Sequence, residues 1–138
     1  MHTSDIISEE GKHLTILATG STRAALLMAG VEGVFKAMQP IAPSEEGEME
    51  RGFELKADDS PHLLSHLIQE ALRLAAEHSE QYTQITFGLI TDKQAEGKLI
   101  GTPVTGFERK VRQPAASELK IEKRADGLWE ARMDLQLV

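Results

Sequence analysis

The stretch that decides the fold is the C-terminal run at residues 118–123 (ELKIEK), 125–127 (ADG) and 128–138 (LWEARMDLQLV). Apolar and charged residues alternate in both arms, which is the period-2 pattern of strands with one buried face. Asp-Gly between two alternating runs is a strong hairpin signal, because such a turn needs a positive φ. The run therefore predicts a β-hairpin with one buried side and one solvent-facing side.

Toward the N-terminus, a strand pattern is followed directly by a helix pattern. Residues 13–18 (HLTILA) have the composition of a buried strand. Residues 21–38 then place apolar side chains at helical spacing along one face. Ser21 or Thr22 can cap this helix by accepting hydrogen bonds from its first free N–H groups.

A second helix is predicted over residues 61–77, with Ser60 as its N-cap and Pro61 in its first turn. Shorter alternating runs before and after it predict further strands. This order of elements predicts an α+β fold in which two helices pack on one face of a mostly antiparallel β-sheet. We expect residues 1–138 to form a single domain.

Composition excludes several classes of protein. The chain has 138 residues, 41% of them hydrophobic, and no cysteine, so it has neither disulfides nor thiolate chemistry. The formal net charge of −7 argues against direct binding to nucleic acid. No apolar run is long enough for a membrane span, and the first residues are too polar for a signal peptide. We expect a cytoplasmic protein.

One group of polar residues has the spacing of a metal site. His62, His66 and Glu70 lie four residues apart on the second predicted helix and project from one face. The apolar stripe of that helix points the other way, so we interpret this face as solvated. An enzyme that uses these three residues is the alternative, and we rank it last because no specific catalytic motif accompanies them.

Basic residues cluster at residues 109–112 (RKVR), with Lys120, Lys123 and Arg124 following. Such a cluster can contact a phosphate backbone, but charges at a sheet edge that discourage aggregation are the simpler interpretation.

Three segments, in order, resemble the archease family. Residues 20–38 (GSTRAALLMAGVEGVFKAM) resemble its first helix, which begins G-x-T and ends L-F-x-x-M. Residues 63–74 (LLSHLIQEALRL) are similar to its L-L-x-x-W-L-N-E-L-L-x-L. Residues 119–132, with LKIEK and then GLWEAR, resemble its L-x-V-x-K…G-x-W-x-A-R.

The resemblance implies a function and a metal site. Archeases are small α+β proteins, not enzymes, that assist the guanylylation and turnover of the tRNA-splicing RNA ligase. They use a metal ion held by acidic residues of an N-terminal H-T-A-D-I-G and by an Asp near the C-terminus. Residues 2–6 (HTSDI) resemble the first motif, but they precede Gly20 at the family's spacing only if residues have been inserted. An ungapped alignment places His13 and Gln136 at the two Asp positions.

Asp134 offers a replacement for the C-terminal carboxylate. It lies two residues before Gln136 on one predicted strand, so both side chains point to the same face. Asp5 joins Asp134 if the N-terminal segment folds as an insertion, and hard oxygen ligands of this kind suit Mg²⁺ or Ca²⁺. We therefore expect either a metal-dependent protein cofactor with an RNA ligase as partner, or an interaction module that kept the fold and lost the metal site.

Overall fold

The computed structural model describes residues 1–138 and contains two helices and nine strands. The helices are α1 (Arg23–Met38) and α2 (Ser60–His78). The strands are β1 (His2–Glu10), β2 (His13–Gly20), β3 (Pro40–Ile41), β4 (Met49–Lys56), β5 (Glu80–Ile90), β6 (Gln94–Pro103), β7 (Gly106–Phe107), β8 (Leu119–Lys123) and β9 (Trp129–Gln136). A short 3-10 turn at Ala116–Glu118 precedes β8.

All strand pairs are antiparallel, and they form three sheets. A four-stranded sheet has the order β1-β2-β9-β8, and a three-stranded sheet has the order β4-β6-β5. The small strands β3 and β7 form a separate pair. The predicted terminal hairpin is confirmed as β8–β9, and Gly127 in its turn has a φ of +88°.

The helices form a layer on the inner face of the four-stranded sheet. Helix α1 packs on β1, β2 and β9 and also touches β5, while α2 contacts α1, β8 and the three-stranded sheet. The core is a cluster of 27 buried residues. Along β2 and β9, alternate residues enter this core, namely Leu14, Ile16, Ala18, Ala131, Met133 and Leu135. The α+β fold is thus confirmed, and the opposite face of this sheet is left to solvent.

Both helices begin at capped residues, one of them not the predicted one. Thr22 Oγ1 accepts a hydrogen bond from the Ala25 N–H at 3.1 Å, as expected for α1. For α2, the prediction of Ser60 as the cap is wrong. Asp59 has the extended backbone of a cap, and its Oδ1 accepts from the His62 N–H at 2.9 Å. Ser60 already lies inside the helix, because the carboxylate one residue earlier serves its free N–H groups.

Strand β1 was not anticipated from the sequence. It pairs with β2 from His2 opposite Gly20 to Glu10 opposite His13, through a turn at Gly11 whose φ is +59°. A bulge between Ile6 and Ser8 interrupts its period-2 pattern, which explains why the alternation is not visible. Neither helix combines the length and the apolar character needed to cross a membrane.

Candidate functional site

The solvent-facing side of the four-stranded sheet carries both carboxylates predicted as metal ligands. Asp5 lies on β1 opposite Leu17, and Asp134 lies on β9 opposite Thr15. Both side chains are exposed. Asp134 lies between the buried Met133 and Leu135 on β9, and Asp5 follows the buried Ser4 on β1. The period-2 prediction of their orientation is therefore correct for Asp134, and the same face also receives Asp5.

Asp134 sits in a polar recess between β8 and β9. The Thr15 hydroxyl donates to Asp134 Oδ1 at 3.2 Å. The recess has a volume of about 300 Å³ and no hydrophobic side chain in its lining. Four carboxylates, two cations and one hydroxyl line it: Glu118, Glu122, Glu130, Asp134, Lys120, Arg132 and Ser117.

Glu118 is the functional candidate that sequence reasoning missed. Leu119 pairs with Met133, so continuing the register by one residue places Glu118 level with Asp134. One carboxylate oxygen, Glu118 Oε1, accepts from the Ala115 N–H at 3.0 Å, which orients the side chain. Glu118 and Asp134 thus bring two carboxylates to one recess, and only knowledge of the strand register could have paired them.

Asp5 and Asp134 are not brought into a single coordination shell. Strand β2 lies between their strands, and their partners Leu17 and Thr15 are two residues apart on it. Two strand spacings and two residues of rise separate their Cα atoms by about 12 Å. Ca²⁺ ligands lie only about 2.3–2.6 Å from the ion. The structure contains no group of three or more His, Cys, Asp or Glu residues arranged to hold a metal ion.

The histidine of the HTSDI segment binds a helix instead of facing the recess. His2 Nε2 lies 2.8 Å from Glu32 Oε2 on α1. Lys36 Nζ is 2.9 Å from Glu32 Oε1 and donates to Ser4 Oγ at 3.2 Å. This half-buried network fastens β1 to α1, so His2 has a structural role here.

Glu32 supplies the negative charge of that network. Burial raises the pKa of the Glu32 carboxyl, but hydrogen bonds and charge attraction from Lys36 and His2 together outweigh it. The pKa of Glu32 therefore lies below its usual value, and the carboxylate is ionised at neutral pH.

The face of α2 that was predicted to be solvated is only partly exposed, and some of its side chains form contacts within the protein. Glu70 forms an ion pair with Arg73 and has no contact with either histidine in the hydrogen-bond network. His62 is exposed and His66 is half-buried, and their ring centres are 6.5 Å apart. The three residues therefore do not form one cluster.

Much of the basic segment is already paired. Arg109 forms an ion pair with Glu9 and donates to the Ala37 carbonyl at 2.8 Å. Arg112 donates to the Gln136 side chain, and Arg124 lies 3.0 Å from Asp126. These contacts favour a structural role for these arginines over phosphate binding.

Comparison with known protein families gives a match over nearly the whole chain. Residues 2–135 match the model of the Archease protein family (MTH1598/TM1083). The chain belongs to the archease family. The match includes both the N-terminal HTSDI segment, residues 2–6, and Asp134.

A solved archease-like structure shows the same fold. The solution structure of Methanobacterium thermoautotrophicum protein 1598 superposes with a TM-score of 0.58, covering 98% of this chain and 97% of that one. The two sequences are 18% identical. A comparison with curated proteins finds no match.

Proposed function

We propose that this archease is a non-catalytic protein cofactor of an RNA ligase in tRNA splicing or RNA repair. The observation that carries the proposal is the family match over residues 2–135, which spans the N-terminal HTSDI segment and Asp134 on the solvent-facing side of one sheet. The net charge of −7 favours a protein partner over direct contact with RNA. The cytoplasm is the compartment we propose for it.

The proposed cofactor is a hard divalent cation, Mg²⁺ or Ca²⁺, at the recess of Asp134. Support for such an ion comes from the Asp134 and Glu118 carboxylates, which face one recess, and from the adjoining Thr15 hydroxyl, because oxygen atoms of this kind are the ligands of hard cations. The ion would neutralise these carboxylates and leave water-filled positions open to a group of the partner. Asp5 retains its proposed role as a ligand only through a movement of β1 or through bridging water.

An interaction module without a metal is the second candidate. The separation of Asp5 from Asp134 across β2 favours it, as does Gln136 at the position where the family places its terminal Asp. An enzyme is disfavoured because Glu70, the base it would need on α2, is held by Arg73.

The proposal is tested with the RNA ligase of the same organism. We expect the purified chain to raise the multiple-turnover rate of ligation and the extent of ligase guanylylation. Asp134→Asn should remove most of this stimulation, because the amide cannot supply the negative charge that a hard ion needs. The matched control Asp92→Asn changes an exposed turn residue and should stimulate like the parent chain. No stimulation by the parent chain would reject the ligase role.

Metal binding separates the two candidates. We expect calorimetry to detect Mg²⁺, Ca²⁺ or Mn²⁺ binding, and the ion to raise the melting temperature by mass action. Asp134→Ala should abolish both effects, and Glu118→Gln should weaken binding about tenfold or more, because each removes a hard ligand. Asp92→Asn should change neither. No heat at millimolar concentrations of these ions would favour the interaction module. Binding that is lost with Asp5→Asn but kept with Glu118→Gln would move the site toward β1.

A further inference from the structure

Two histidines near the start of α2 have the spacing of a metal site, and their nitrogen donors differ from the oxygen donors of the Asp134 recess. His62 and His66 are separated by one helical turn, so their side chains leave the same face of the helix. Their ring centres are 6.5 Å apart. An ion bound at about 2.0–2.1 Å from two imidazole nitrogens lies roughly 3 Å from each ring centre. At the tetrahedral angle that Zn²⁺ prefers, the two ring centres would lie roughly 5 Å apart, so side-chain rotations must bring the rings about 1 Å or more closer together.

Each ring already has one nitrogen facing an acceptor. His62 Nδ1 lies 2.7 Å from Asp59 Oδ1, and His66 Nδ1 lies 3.3 Å from the Lys56 carbonyl oxygen. These acceptors favour the tautomer with the proton on Nδ1, because a carboxylate and a carbonyl can only accept. The lone pair then lies on Nε2 of each ring. Metal-binding histidines in proteins typically have this arrangement, in which a carboxylate or a backbone carbonyl holds the nitrogen that does not bind the metal.

We propose that His62 and His66 form an open two-histidine site for Zn²⁺, with water completing the coordination. The type of donor selects Zn²⁺ over the hard ions proposed for the Asp134 recess. The donors are imidazole nitrogens, which suit Zn²⁺ and bind Mg²⁺ and Ca²⁺ poorly. The acidic residues beside the pair, Asp58 and Asp59, offset the unfavourable field that the N-terminus of α2 exerts on a cation. This site lies on another element and does not depend on the proposed ligase role.

Asp59 gives the pair a built-in positioning residue. Its Oδ1 accepts from both the His62 N–H and the His62 ring, so it caps the helix and orients the ligand at the same time. Asparagine is as good a helix cap as aspartate. Asp59→Asn therefore keeps the helix start while removing the charge that holds the His62 ring.

The test is to titrate the full chain with Zn²⁺ and to measure binding by calorimetry, at neutral pH and with millimolar Mg²⁺ present. We expect one Zn²⁺ per chain, with an affinity reduced about tenfold or more in His62→Ala and in His66→Ala. Asp59→Asn should weaken binding by about tenfold, the usual effect of losing a partner that orients a ligand. Asp134→Asn should bind Zn²⁺ like the parent chain, because it lies on the sheet.

Two matched controls make the result decisive. His78→Ala removes an exposed histidine from the other end of α2, and His2→Ala removes the one beside the N-terminal amine. Both should leave Zn²⁺ affinity unchanged. The site is overturned if the parent chain binds no Zn²⁺, or if His62→Ala and His66→Ala bind it with the same affinity as the parent chain. Loss of binding in His2→Ala alone would assign the ion to the N-terminus and also overturns it.

Discussion

Replacing Arg51 with alanine is expected to lower the free energy of unfolding by about 3 kcal/mol, because it strands a buried carboxylate. Glu80 at the start of β5 is 2% exposed. Arg51 Nε and one terminal nitrogen each donate to a different Glu80 oxygen at 2.9 Å. The Tyr82 hydroxyl donates to the same carboxylate at 2.8 Å. Without Arg51, the Tyr82 hydroxyl alone would have to compensate the buried charge.

This network also makes the free energy of unfolding depend on pH in the acidic range. The hydrogen bonds from Arg51 outweigh burial and hold the pKa of Glu80 below its ordinary value of 4.5. A carboxyl whose pKa is depressed by folding contributes stability above its unfolded pKa and loses it as pH falls through the folded pKa. The difference in unfolding free energy between the parent chain and Arg51→Ala should therefore be largest above about pH 4.5 and shrink below it.

Urea unfolding followed by circular dichroism measures both effects, and Lys98→Ala is the matched control. Lys98 Nζ lies 3.3 Å from Glu50 Oε2, but the side chains are 59% and 54% exposed. An exposed pair of this kind contributes about 1 kcal/mol or less. If Arg51→Ala costs no more than Lys98→Ala, or if the difference does not shrink in acid, the Glu80 network does not stabilise the fold as argued.

Local patterns predicted the parts of the fold that are encoded locally. Alternation located β8 and β9, and Asp126-Gly127 located their turn. The apolar stripes located both helices. The division of the strands into separate sheets could not be predicted, because it depends on which strands pair, and pairing partners are distant in sequence. Strand β1 was hidden for a related reason, since the bulge after Ile6 breaks its alternation.

The same distinction holds for the candidate sites. The orientation of Asp134 followed from counting residues along one strand. The proximity of Glu118 did not follow, because Glu118 and Asp134 are 16 positions apart in sequence and only the strand register aligns them. The role of His2 was likewise decided by a tertiary partner, Glu32 on α1. Glu70 instead pairs with Arg73, one turn further along the same helix.

Gly20→Ala is expected to be as damaging as Arg51→Ala, at about 3 kcal/mol. Gly20 ends β2 and begins the G-x-T that resembles the family's helix start. A Cβ built on it would lie 2.4 Å from the Leu26 nitrogen and 2.7 Å from the Ala25 carbonyl carbon. Both are backbone atoms in the first turns of α1, so they cannot rotate away as a side chain would. Overpacking against such atoms costs about 1–3 kcal/mol, with the upper end expected where backbone must move.

Gly52→Ala is the control, because nothing lies within 4 Å of the Cβ that it would add on β4. Its unfolding free energy should stay within about 0.5 kcal/mol of the parent value. Equal stabilities of the two variants would mean that α1 does not begin as close to β2 as described.

The Gly20→Ala substitution should also weaken binding at the proposed metal site. Gly20 pairs with His2 on β1 and with Trp129 on β9, so a shift at this residue moves β2 against both strands that carry the exposed carboxylates. Thr15, which donates to Asp134, lies on the same strand as Gly20. We therefore expect folded Gly20→Ala to bind Mg²⁺ or Ca²⁺ more weakly than Gly52→Ala does. Unchanged affinity in a destabilised Gly20→Ala would show that Asp134 and Glu118 are held by β8 and β9 alone, without support from β2.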